Sequence, residues 1–135
     1  MMKIVKTTLL SVLCMSAFVL VVSCATQSRT LPEGLAAAEI FQRAQDAADR
    51  GDYALGITFY EVCQQRYPDD KAHMVWAAYE VAFLYHKMGK NEKAASLIDA
   101  LLTEYTNQGD SVPPAPLLLS QKLKDRLEAS IRKKS

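Results

Sequence analysis

The chain has 135 residues, half of them hydrophobic, and sixteen basic side chains nearly balance fifteen acidic ones, for a formal net charge of +1. That length bounds one small domain. The near-neutral balance, with no basic run beyond Arg132-Lys133-Lys134, excludes nucleic acid as the main ligand.

Met1 to Ser23 carries an early basic pair (Lys3, Lys6), an apolar run from Leu9 to Val22 and a small residue before Cys24. A secretory leader is expected, because the run is too short for a spanning helix. Val21-Val22-Ser23-Cys24 resembles the bacterial lipobox, which implies cleavage before Cys24 and lipid on that cysteine. Ala25 follows Cys24 where aspartate would signal inner-membrane retention, so the expected place is the periplasmic face of the outer membrane. Removal of 1–23 from the 135 residues leaves 112, with fourteen basic against fifteen acidic side chains. Cys14 leaves with the leader and Cys24 takes lipid, so Cys63 is the one remaining thiol and no intrachain disulfide is expected.

Residues 24–30 read as the lipidated cysteine and a short polar tether; 31–135 read as one all-α domain. The first helix is expected from Leu31 or Pro32 to Arg50, with proline in its first turn and Gly51 ending it. Asp52 is placed to cap the second, Tyr53 to Tyr67, on which Tyr53, Gly56, Tyr60, Cys63 and Tyr67 share one stripe. Asp69 or Asp70 would cap the third, Lys71 to Met88, and Gly89 would close it. A fourth runs from about Asn91 to Tyr105, with Ala94, Leu97, Ile98, Leu101 and Leu102 inward. The proline-rich Thr106 to Pro116 reads as a loop, and Leu119, Leu123, Leu127 and Ile131 mark a fifth amphipathic helix.

Part of this pattern is written twice. Phe41 answers to Tyr79, Ala44 to Ala82, Gly51 to Gly89 and Tyr67 to Tyr105, always 38 positions apart. Ala44, Gly56, Tyr60 and Pro68 in the first copy, and Val81, Ala82, Tyr85 and Ala94 in the second, resemble the tetratricopeptide repeat (TPR). The match covers Leu35 to Tyr105. It departs from the family at Ile40 and Ala78, where tryptophan is preferred, at Arg43 for leucine and at Thr106 for proline. The 38-residue offset also exceeds the usual ~34. Such spacing is similar to TPR lipoproteins of bacterial envelopes, of the outer-membrane-assembly and secretin-pilot types. The resemblance implies a short helical-hairpin solenoid of about two repeats, with the fifth helix as its cap, and a monomer.

The same resemblance implies a peptide or protein partner on the concave side, lined by the first helix of each pair. Carried over residue by residue, that face comprises Phe41, Gln45 and Ala48, then Trp76, Tyr79, Phe83 and His86. Three aromatics and a histidine off the core side fit a binding groove; equally, the fifth helix or the tether could fold over them. No constellation for an enzyme stands out. Cys63 lies on a buried stripe, Asp69-Asp70 reads as a cap, and His73 and His86 lack metal-ligand spacing, so neither metal nor cofactor is expected. The expected function is a lipid-anchored adaptor or scaffold in a bacterial envelope. The alternatives are a structural lipoprotein tying membrane to cell wall and a small periplasmic enzyme.

Overall fold

The computed structural model describes residues 31–133, and the leader, Cys24 and the tether lie outside them. Five α-helices follow in order: α1 (Ala37–Asp49), α2 (Tyr53–Arg66), α3 (Lys71–Lys87), α4 (Asn91–Tyr105) and α5 (Pro114–Arg132). A 3-10 segment, Thr106–Ser111, joins the last two, and no strand occurs among the described residues. None of these helices is long and apolar enough to cross a membrane.

The first helix starts later than proline placement suggested, at Ala37 rather than Leu31 or Pro32. Gly34 adopts a left-handed φ of 79°, which interrupts any helix through Pro32. The backbone carbonyls ahead of α1 are taken up instead by the end of α2. Arg66 Nη1 donates to the Pro32 carbonyl at 2.8 Å, and the Tyr67 hydroxyl donates to the Leu35 carbonyl. Leu31 and Leu35 thereby pack against the buried Ile40–Cys63 cluster as a strap. Glu39 then reaches back to the Ala36 N–H at 3.0 Å, holding the first turn of α1.

The 38-residue repetition reappears in the backbone hydrogen bonds. After α1, the N–H of Gly51 donates to Ala48 and that of Asp52 to Ala47, both at 2.9 Å. After α3, Gly89 donates to His86 at 2.9 Å and Lys90 to Tyr85 at 3.0 Å, each pair displaced by the same offset. Both glycines hold a positive φ, 81° and 74°, which ends the helix without Cβ strain. The next helices also begin alike, Gly56 N–H donating to Asp52 and Ala94 N–H to Lys90 at 3.0 Å. Only the first hairpin has a side-chain cap at this corner: Asp52 Oδ1 accepts the Leu55 N–H at 3.1 Å, whereas Lys90 caps nothing. Of the two aspartates before α3, Asp70 caps, its Oδ1 accepting the His73 N–H at 3.1 Å.

Burial follows the repetition too. Ala44 and Ala82 are fully buried, as is Ala94, the counterpart of Gly56. At Gly56 α1 and α2 approach closely: a Cβ there would stand 3.2 Å from the Ala44 carbonyl oxygen. A small residue is required at that crossing.

Each helix packs on the next, α1 also touches α3, α3 also touches α5, and α2 and α4 barely meet. The odd-numbered helices thus form one layer and the even-numbered ones another. The core is threaded between the layers. Tyr60, Ala77 and Leu84 belong to its α1–α2–α3 part, and Ile98, Leu123 and Leu127 to its α3–α4–α5 part. Val75, Leu101, Tyr105 and Val112 seat the 3-10 segment.

The expected loop through Pro116 ends instead at Pro113, because Pro114 and Pro116 lie in the first turn of α5, where a missing N–H costs nothing. The buried stripe of α5 is Pro116, Ser120, Leu123 and Leu127, not Leu119, Leu123, Leu127 and Ile131. Three successive steps of four residues advance around an α-helix by ~40° each, whereas alternating steps of four and three stay on one face. Leu119 and Ile131 therefore fall to the flanks, half-buried.

A groove between the first and third helices

α1 and α3 touch only lightly while α2 packs on both, and an open groove lies on the odd-helix side. Two adjoining cavities occupy it. The smaller, of about 230 Å³, is lined by Phe41, Gln45, Ala72, His73, Trp76 and Glu80. The larger, of about 520 Å³, lies further along and is lined by Gln42, Gln45 and Asp49 from α1, Tyr60 from α2, and Glu80, Phe83 and Lys87 from α3, among others. Gln45 and Glu80 line both.

The smaller cavity is an aromatic corner. Phe41 meets Tyr60 edge-on with ring centroids 4.9 Å apart, and the His73 ring at 5.6 Å. His73 is held in turn by Asp70, whose Oδ2 lies 2.7 Å from its Nδ1. The backbone N–H of His73, then that imidazole, keeps the Asp70 carboxyl below its ordinary range despite some desolvation. The larger cavity is polar. Burial, and then the charge of Asp49, raises the Glu80 carboxyl above its ordinary range. Burial, then Glu80 and Asp49, raise the Tyr60 phenol. Tyr60 is 1 % exposed, yet its hydroxyl has no hydrogen-bond partner among the described residues.

The six side chains expected to form the partner face are divided by the structure. Phe41, Gln45, Trp76 and Phe83 line the groove; Tyr79 and His86 do not. The four rings on α3 do form one ladder: Trp76–Tyr79 at 6.1 Å, Tyr79–Phe83 stacked at 6.0 Å, and Phe83–His86 at 6.4 Å. That ladder leans toward α5. Tyr79 and Phe83 pack against the cluster holding Leu123 and Leu127, and Arg126 opposes the rise that burial and Glu80 impose on the Tyr79 phenol. His86 Nδ1 meets Asn91 Oδ1 at 2.8 Å, and Asn91 Nδ2 donates to Ser130 Oγ at 2.9 Å, which pins the end of α5 beside it. α5 covers the Tyr79–His86 flank, whereas the Trp76–Phe83 flank opens onto α1.

Glu80 is the lining residue that the aromatic pattern passed over. It stands four positions after Trp76 and three before Phe83, so the groove face of α3 is the row 73, 76, 80, 83 and 87. That spacing was available in the sequence; an aromatic-only criterion selected the neighbouring row.

Cys63 is 1 % exposed with its Sγ 3.7 Å from the Ala37 carbonyl, and burial, then Asp70, raise its thiol. It packs as a core residue away from the groove. No group of three or more His, Cys, Asp or Glu among the described residues is arranged to hold a metal ion. Comparison of the chain with known protein families, with curated proteins and with solved structures returned no match.

Proposed function

We propose that the chain is a lipid-anchored adaptor of a bacterial cell envelope, a short TPR-like solenoid that holds a peptide segment of a partner protein in the α1–α3 groove. The observation that carries this reading is the groove itself. Two hairpins related by 38 residues present their first helices to one side, and Phe41, Gln45, Trp76 and Phe83 line continuous space there. Solenoid stacking explains the layered contacts, with α5 acting as the terminal cap over Ala82, Ala94 and Ile98. Aromatic side chains bordering a concave surface supply large contact area at low entropic cost. The lipobox-like Val21 to Cys24 supports anchoring, with the roughly eight residues before the domain's first packed segment keeping it within roughly 30 Å of the membrane.

The test places a photo-crosslinking residue at Gln45 or Trp76, and at Gln65 as a control, in the full chain in cells. Gln65 is exposed on α2, away from the groove lining. A discrete adduct from the groove positions, absent from Gln65, supports the adaptor. Identical patterns from all three positions refute it. Metabolic labelling with a palmitate analogue, lost on Cys24→Ser, checks the anchor.

A further inference from the structure

The chemistry of the segment that the groove accepts is legible from its lining, given the adaptor reading above. Glu80 and Asp49 face the larger cavity, and neither is in an ion pair within 4.0 Å among the described residues, where the two pairs are Asp70–His73 and Asp99–Lys124. The partly buried Glu80 carboxylate therefore lacks the cation that desolvation calls for. Beside it the Tyr60 hydroxyl is nine-tenths buried and unpartnered, and Gln42 and Gln45 add two amide oxygens. Two carboxylates and three neutral side chains able to accept hydrogen bonds thus border this space, against one cation, Lys87. Lys87 lines the same cavity from seven residues further along α3, about 10 Å along the helix axis, so charge alternates down the groove. The adjoining 230 Å³ corner is aromatic and takes one apolar side chain.

We propose that a partner polypeptide places an arginine or lysine side chain between Glu80 and Asp49, with a neighbouring apolar side chain of the same segment in the Phe41–Trp76 corner. Charge complementarity selects this occupant over an acidic or neutral one, because an anion would add a third negative charge beside two unpaired carboxylates. Arginine fits best, since its five N–H donors match the carboxylates, the phenol oxygen and the glutamine amides together.

Trp76 is the chain's one tryptophan and borders the apolar corner, so its fluorescence reports occupancy. The full chain in mild detergent is titrated with capped tripeptide amides that carry leucine beside arginine, beside citrulline (the neutral isostere of arginine) or beside glutamate. The arginine peptide is expected to change Trp76 emission saturably, at least about tenfold tighter than the citrulline peptide, with no saturation by the glutamate peptide. Glu80→Gln and Asp49→Asn are each expected to erase the preference, and Phe41→Ala to weaken both peptides equally. The exposed Asp49 keeps that variant informative if Glu80→Gln disturbs packing. Equal binding of the arginine and citrulline peptides overturns the cationic assignment while leaving the groove as a peptide site. Binding that emerges only in Arg29→Gln assigns the acidic site to this chain's own tether and overturns a partner occupant. No binding by either chain overturns both this inference and the adaptor reading.

Discussion

Replacing Gly56 by alanine sets two effects of known size against each other. Inside a helix, alanine is favoured over glycine by about 1 kcal/mol. Against that, the new Cβ would lie 3.1 Å from Leu84 Cδ1, 3.2 Å from the Ala44 carbonyl oxygen and 3.5 Å from Ala48 Cβ. The Leu84 methyl is the tip of a side chain and can turn away. Ala44 O belongs to the middle of α1 and yields only if the whole helix shifts. Inserting a methyl into such a packed contact costs about 1–3 kcal/mol, so overpacking wins and a net loss of about 1 kcal/mol is expected. For a domain of this size that lowers Tm by about 4–8 °C, measurable by circular dichroism on heating and in urea. Ala94→Gly is the counterpart in the second hairpin. It loses about 1 kcal/mol of helix preference and about 0.8 kcal/mol for a buried methyl, roughly 2 kcal/mol together. A Gly56→Ala protein more stable than wild type would refute the close crossing of α1 and α2.

Glu80→Gln is expected to raise stability at neutral pH. The folded-state carboxyl is raised above its unfolded value, so its ionisation opposes folding as pH climbs through the raised value. The gain should vanish below about pH 4, where both states hold the proton, and a gain independent of pH in thermal melts would contradict this. Asp70→Ala removes the cap of α3 and is expected to cost about 1 kcal/mol at pH 7. Because the folded Asp70 value is depressed, that difference should shrink in urea titrations as pH falls below about 4, and a constant difference would exclude the charged cap. Ser120 is fully buried, its Oγ without a hydrogen-bond partner among the described residues. Ser120→Ala should therefore stabilise the domain by about 1 kcal/mol in urea unfolding; destabilisation would mean the hydroxyl is satisfied in solution.

Local rules carried most of the helix boundaries. Gly51 and Gly89 ended their helices, Asp52 and Asp70 capped theirs, and 3.6-residue periodicity placed α4, whereas proline misplaced the starts of both α1 and α5. Two elements escaped because long-range contacts decide them. The start of α1 depends on Arg66 and Tyr67, more than thirty positions away, which hold a non-helical strap whose one local signal is Gly34. The stripe of α5 depends on which neighbours it meets: Ser120 faces inward and Leu118 is 59 % exposed, an inversion that hydrophobicity alone reads backwards. At the groove, the general face was legible from the repeat but its exact row was not. Trp76, Tyr79, Phe83 and His86 are contiguous on α3, and only the position of α5 determines which of them look toward α1.

The strap ahead of α1 has a mechanical consequence. Any pull applied through the residues before Leu31 enters the domain at Leu31 and Pro32, and passes at once to Arg66 and Tyr67 at the end of α2. The load bypasses α1, whose few inter-turn hydrogen bonds would otherwise peel one at a time. Tension is shared by several contacts that must break together, and helices so spared keep their shape while the chain is tugged. A pull from that end therefore reaches α2 before it reaches the groove-lining face of α1.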